Sequence, residues 1–263
     1  MKAPHVAQLV EQIQAEGRLS FAASEIRKRT GLDGVNLQVA LYRHAATGSI
    51  AKLSRKSDFF VIVPPQYRSM GSPPVEDWLD DYMSHLGQPY YLGLLSAATV
   101  HGSSHFAIQE TQVVTKEWLR PLTIGRTRLR FFQSNAVTKV PVERRTGFWA
   151  QLCVSTPETT ILDVLRLRPC GIGRALLLVK DLASKFEAGL LERAIAASDD
   201  TPNAQRLGFL LEQAGRADMA MLVKRWLDDR PHRVVPLETG SPVARLHDRR
   251  WNVDVNVNLD AAA

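Results

Sequence analysis

Apolar residues recur at helical spacing from the first turns of the chain. Val6, Leu9, Val10 and Ile13 make an i, i+3, i+4, i+7 stripe, which predicts an amphipathic helix over residues 5–16 that Gly17 ends. A second helix is predicted over 21–29. Ser20 is placed to cap it, Phe21, Ala22 and Ile26 face inward, and Arg27, Lys28 and Arg29 complement the negative end of its dipole. Thr30-Gly31-Leu32 reads as a short turn. A third helix follows over 33–46, with Leu37, Ala40, Leu41 and His44 on one face and Asn36, Gln38, Val39, Tyr42 and Arg43 on or beside the other. The pattern then changes to that of strands. Residues 49–53 and 58–63 read as a hairpin whose tip, Ser54-Arg55-Lys56-Ser57, is polar and basic. Pro64-Pro65 closes the unit, because proline cannot continue a central strand.

Two helices joined through a glycine turn and followed by a basic hairpin make the pattern of a winged helix-turn-helix. Charge strengthens that reading. Residues 1–70 hold ten basic side chains against five acidic ones, so five of the chain's six excess positive charges sit there. A local positive field is what phosphate binding requires. In such a unit the third helix enters the major groove of double-stranded DNA. Asn36, Gln38, Tyr42 and Arg43 are the candidates to reach base edges, since an amide pairs with adenine and a guanidinium with guanine. Lys52, Arg55 and Lys56 on the hairpin would hold the phosphate backbone. The other use of this pattern, contact with a protein, stays open at this point.

Residues 67–74 are rich in turn formers and end on Pro73-Pro74, so they read as a linker between a first domain over 1–66 and a second over 75–263. In the second part a helix is expected over 75–86 and a tight helix of small and apolar residues over 90–102. A β region is expected over 111–133. Arg126, Arg128 and Arg130 alternate there, either to touch nucleic acid or to keep an outer face wet. Thr156-Pro157-Glu158 is a helix start: a capping hydroxyl, a proline at the first helical position and an acid for the dipole. Helical patterns fill 172–183, 187–197, 203–214 and 216–228. The alternation of Val253, Val255 and Val257 with Asn252, Asp254, Asn256 and Asn258 predicts a strand over 249–258. The expected class is α+β, a winged helix-turn-helix followed by a larger mixed α/β domain.

Composition excludes several alternatives. No apolar run is long enough for a membrane span, and Glu11, Gln12 and Glu16 stand where a secretory leader would be apolar, so a cytoplasmic protein is expected. Cys153 and Cys170 are the only cysteines and form no CxxC pair, so no zinc site and no disulfide framework is expected from them. His101 and His105 have HxxxH spacing, but Gly102 stands where a metalloprotease motif has glutamate. A nuclease or nucleotidyltransferase reached through the N-terminal unit is the alternative function. It would need clustered carboxylates to hold Mg²⁺. Glu158, Asp163 and Asp254 are scattered, there is no GS-x10-DxD spacing, and phosphate-loop and nucleophile-elbow motifs are missing. No catalytic residue, metal or cofactor is expected.

Four stretches in order carry a resemblance that spans nearly the whole chain. They are the N-terminal winged-helix pattern, YYLGLLSAATVHG at 90–102, STPETTILDVL at 155–165 and DRRWNVDVNV at 248–257. Together they resemble the abortive-infection Ei (AbiEi) antitoxins of bacterial type IV toxin–antitoxin systems. The resemblance implies a winged helix that binds inverted repeats in its own promoter and represses transcription. It also implies a C-terminal domain with antitoxin activity and a nucleotidyltransferase-like toxin encoded alongside, neutralised without a required stable complex. It supplies no active-site residues for this chain.

Overall fold

The computed structural model describes residues 5–32, 34–54, 57–103, 108–146, 151–241 and 246–259. The elements begin with α1 (Val6–Ala15), β1 (Ser20–Ala22), α2 (Ala23–Thr30), α3 (Gly34–Ala46), β2 (Ile50–Lys52), β3 (Phe59–Ile62) and α4 (Leu79–His85). There follow β4 (Tyr90–Leu92), α5 (Leu94–Val100), β5 (Thr111–Thr115), β6 (Leu122–Ile124), β7 (Thr127–Gln133), β8 (Val142–Thr146) and β9 (Gln151–Ser155). The chain continues through α6 (Pro157–Leu167), α7 (Ile172–Leu182), α8 (Ala188–Ser198), α9 (Thr201–Gln213) and α10 (Ala217–Asp228). It ends in β10 (Val235–Pro236), β11 (Leu246–Asp248) and β12 (Val253–Val255). Three sheets have the orders β1-β3-β2, β6-β7-β5-β4-β9-β8 and β10-β12-β11, so the fold is mixed α/β.

The chain divides into two compact units. The first comprises residues 1–90, 109–133 and 144–153, and the second 91–108, 134–143 and 154–263.

In the first unit the apolar stripe of α1 is buried as its spacing predicts, together with Leu37 and Leu41 of α3 and Ile26 of α2. Strand β3 runs antiparallel to both β1 and β2, with Phe21 opposite Phe60 and Ile50 opposite Ile62. The second helix starts later than its sequence pattern suggests. Residues 20–22 are a strand, Ala22 takes the N-cap position without a side-chain bond, and the Ser20 hydroxyl donates to the Asp81 carboxylate. The local capping chemistry of Ser20 lost to sheet pairing, because β3 needs a partner on its second edge. Farther along, 75–77 form a single 3-10 turn ahead of α4. The Met70 carbonyl, in the expected linker, accepts the Arg126 N–H at the β6–β7 turn.

In the second unit, 90–102 is not one helix. Its first three residues are β4, whose Leu92 stands opposite Val154 of β9 in parallel. The start at Thr156 is as predicted, with its side chain accepting from the Thr159 N–H and Pro157 at the first position. The terminal strand is shorter than its alternation, because the strands beside it reach only Val253–Val255. Trp251 leads into that strand, wholly buried, with its indole N–H donating to Glu212 and its backbone tied to Asp248 and Gln205. Its ring lies on the backbone of Gly208 in α9. A methyl group at Gly208 would stand 2.0–2.3 Å from the ring carbons.

Gly208→Ala therefore has to displace a buried indole. The gain in helix propensity, about 1 kcal/mol, does not cover that displacement. The variant is expected to lose about 1–3 kcal/mol of unfolding free energy in urea, with a changed tryptophan emission. A variant as stable as the parent would show that Trp251 does not rest on this backbone.

Candidate functional site

The strongest candidate is the outer surface of α2, α3 and the β2–β3 hairpin. Its geometry begins at the turn between the two helices. Gly31 adopts a left-handed conformation, φ 71°, and its N–H closes on the Arg27 carbonyl, which ends α2 at once. The Thr30 hydroxyl donates back to the Ile26 carbonyl at 2.8 Å and accepts the Leu32 N–H at 3.2 Å. With Leu37 and Leu41 facing the core, the opposite side of α3 is set outward. Asn36, Gln38, Val39, Tyr42 and Arg43 are all exposed on the side the periodicity assigns them, as is Val35.

The structure gathers most, not all, of the predicted residues. Gln38, Tyr42, Arg43 and Lys52 line one open groove of about 970 Å³, together with Arg27 and Val39. Asn36 is exposed on α3 but is not part of that lining. Arg43 also borders a smaller hollow of about 480 Å³ shared with His5, Ala40 and His44. Lys52 lies at the end of β2 opposite Phe60, its ammonium 5.9 Å from the ring centroid. Phe60 in turn stacks on Phe21 at 5.5 Å, nearly parallel. Arg55 and Lys56 lie outside the described residues.

Ion pairs sort the basic residues of this unit. The Arg18 guanidinium grips the Glu25 carboxylate with two bonds, at 3.0 and 2.9 Å. Arg29 reaches Glu25 at 2.8 Å and Glu16 at 3.3 Å. Those two cations have carboxylate neighbours; Arg27, Lys28 and Arg43 stand exposed on the surface. Arg27 was assigned to the helix dipole in sequence and proves to line the groove. Its place at the last turn before a glycine was the available clue. Asp58, which also lines the groove, meets His85 at 2.8 Å, while Phe59 packs against Tyr82 and His85. These contacts hold the base of the hairpin.

In the second unit the two motif stretches are bonded to each other. The Tyr91 hydroxyl donates to Asp163 at 2.6 Å, and Arg166 reaches both Asp163 and Ser134 at 2.8 Å. Burial pushes the Asp163 carboxyl above its ordinary range, against the pull of Arg166 and Tyr91. His101 joins the Ser155 carbonyl through Nε2 at 2.7 Å, and the Ser155 hydroxyl turns toward the Leu92 carbonyl. Lys185 donates to the His101 carbonyl. Glu158 accepts the Glu187 N–H at the start of α8. Asp254 is engaged elsewhere, with His247 at 2.8 Å.

These are packing and capping duties. Among the described residues no three His, Cys, Asp or Glu side chains are grouped so that they could hold a metal ion. His105 lies outside those residues. Burial raises both thiols, that of Cys170 to about 11, which keeps it a thiol at neutral pH. Arg126, Arg128 and Arg130 are exposed along the β6–β7 turn and β7.

Residues 91–213 match the family model of the AbiEi antitoxin C-terminal domain. That match supports the resemblance to the AbiEi antitoxins, and an antitoxin domain implies a toxin partner. The fold is similar to that in the crystal structure of the RV2827C protein from Mycobacterium tuberculosis. The TM-score is 0.67 at 16% identity, over 94% of this chain and 89% of that one. At this identity the likeness concerns the fold alone. Comparison with curated proteins gives no match. No helix among the described residues is long and apolar enough to cross a membrane.

The Arg18–Glu25 bond, chiefly, holds the Glu25 carboxyl below its ordinary value of 4.5. A lowered folded-state value means that the carboxylate adds stability above the unfolded value and loses it as pH falls through the folded one. Because the pair is partly exposed, Glu25→Gln is expected to cost under about 1 kcal/mol at pH 7. The cost should shrink toward nothing by pH ~2–3, below the carboxylate range. Urea unfolding of both proteins at the two pH values checks this. A cost that persists in acid would mean that packing, not charge, holds the site.

Proposed function

We propose that residues 1–66 form a winged helix-turn-helix that binds double-stranded DNA, that 67–74 link it to the remainder, and that 75–263 act as the antitoxin domain. The chain is then a transcriptional autorepressor and antitoxin, not an enzyme. It works in the cytoplasm beside a nucleotidyltransferase-like toxin that it neutralises without a required stable complex. The observation that carries the DNA-binding part is the groove in which Gln38, Tyr42 and Arg43 of α3 share a lining with Arg27 and Lys52. Polar and aromatic side chains on one helix, flanked by cations from a preceding helix and a hairpin, suit base edges in the middle and phosphates at the rim. The match over 91–213 supports the antitoxin part.

In this reading α3 lies in the major groove. Asn36, Gln38, Tyr42 and Arg43 read bases, while Lys52, Arg55 and Lys56 fix register on the phosphates. The alternative of a nucleic-acid-processing enzyme needs Glu158, Asp163 and Asp254 to converge. The first caps α8, the second binds Tyr91 and Arg166, and the third pairs with His247. None of those duties leaves a set of carboxylates for phosphoryl chemistry.

Asn36→Ala/Arg43→Ala is expected to keep its circular dichroism and thermal midpoint, because both side chains are exposed. Its affinity for a duplex from the chain's own promoter should fall at least about 30-fold, since each paired base contact contributes about 1–3 kcal/mol of discrimination. Lys52→Ala should weaken binding to all sequences alike and reduce the salt slope by about one. Fluorescence anisotropy across a salt series measures both. Unchanged affinity in the folded double variant would sink the assignment of those two residues.

A further inference from the structure

The outward row of α3 carries apolar side chains that folding does not ask for. Val35 is 72% exposed, Val39 44% and Tyr42 74%. Leu37 and Leu41 already supply the helix's packing face. Valine is also a weaker helix former than the alanine that could stand in its place. Val35 and Val39 are four residues apart, so they lie one above the other on the helix, about 6 Å apart along its axis. That is roughly two base-pair steps of a duplex. The apolar feature that a base pair offers in the major groove is the thymine C5 methyl.

We infer that Val35 and Val39 read the methyl groups of two thymines about two steps apart. The DNA this chain selects therefore carries A·T pairs at both positions. The inference rests on the DNA-binding reading above and adds to it what the apolar residues specify. DNA is the occupant because of the charge around the row. Three cations, Arg27, Arg43 and Lys52, against one carboxylate, Asp58, line the groove that Val39 also lines. The buried centre of a protein–protein interface is instead depleted of lysine. Gln38, in the same row between the valines, supplies an amide for the adenine partner of either pair.

The test uses the full chain and a randomised duplex library. The enriched duplex is resynthesised with deoxyuridine for thymidine, one position at a time and then at both, which removes only the methyl groups. Losing a buried methyl is expected to weaken binding about fourfold, and losing both about tenfold or more. Val35→Ala/Val39→Ala should keep its fold and bind the thymine and uracil duplexes alike. Equal binding of both duplexes by the parent chain overturns the inference while leaving DNA binding intact. So does discrimination that survives undiminished in the double variant, since groove shape and hydration would then be its cause. If no duplex is enriched, the DNA-binding reading itself has failed and the inference with it. A variant that loses self-association with an unchanged thymine-to-uracil ratio assigns the row to a second copy of the chain, which also overturns it.

Discussion

Strand β3 has to satisfy its backbone on both edges and bury all four of its side chains at once. Phe60 and Ile62 enter the core made by α1, α2 and α3. On the other face Phe59 packs on Tyr82 and His85 of α4. A strand covered on both faces cannot remain half of an isolated hairpin, because an unpaired buried edge would strand its N–H and C=O groups. β1 supplies the second edge, and the consequences spread from there. Pairing Ala22 with Phe59 fixes where α2 can begin, and the Asp58 carbonyl takes the Ala23 N–H. The start of α2, its length and the glycine turn then set the angle at which α3 presents its outer face.

This constraint also explains what the sequence made legible. The helices of the first unit were readable because their apolar spacing is local: Val6, Leu9, Val10 and Ile13 declare a buried stripe without reference to any other element. The β2–β3 hairpin was readable for the same reason. β1 was not, because three residues carry no period and their strand character comes from a partner some forty residues on. Ser20 is a good cap by local chemistry, yet its hydroxyl was claimed by Asp81. β4 repeats the case: Tyr90–Leu92 continues smoothly into an apolar helix by composition, and its parallel partner beyond residue 150 decides otherwise. In the terminal strand the error ran the other way. Alternation persisted past the point where neighbouring strands stopped pairing with it.

The candidate site divides along the same line. Which side of α3 faces water follows from periodicity, so Asn36, Gln38, Tyr42 and Arg43 could be placed in advance. Which cations remain open to a ligand does not follow. Arg18 and Glu25 meet across β1, and Arg29 reaches back to Glu16 just past the end of α1. A count of charges therefore overstates the field at the groove, since two arginines spend theirs on carboxylates that hold the scaffold together. Similarly, Glu158 and Asp163 looked chemically notable as carboxylates near a helix start. The Glu187 N–H binds Glu158 at the start of α8, and Tyr91, with Arg166 beside it, makes Asp163 a joint between two of the stretches that carry the family resemblance. Those stretches mark how the domain is built, and a match to them speaks to descent more directly than to a reacting group.

The outward face of α3 stands apart from this network. Leu37 and Leu41 complete the buried side of α3, while residues 35, 36, 38, 39, 42 and 43 stand on its exposed side. Such positions are free to change at little cost to stability. The buried face of the same helix cannot change without opening a cavity or a strained contact. Recognition residues on a rigid helix thus combine fixed placement with free choice of side chain. The placement comes from β3 and its two neighbours. The choice, here a mixture of amides, a guanidinium, a phenol and two valines, is the part of the sequence that a folding argument leaves unexplained and that a bound duplex would account for.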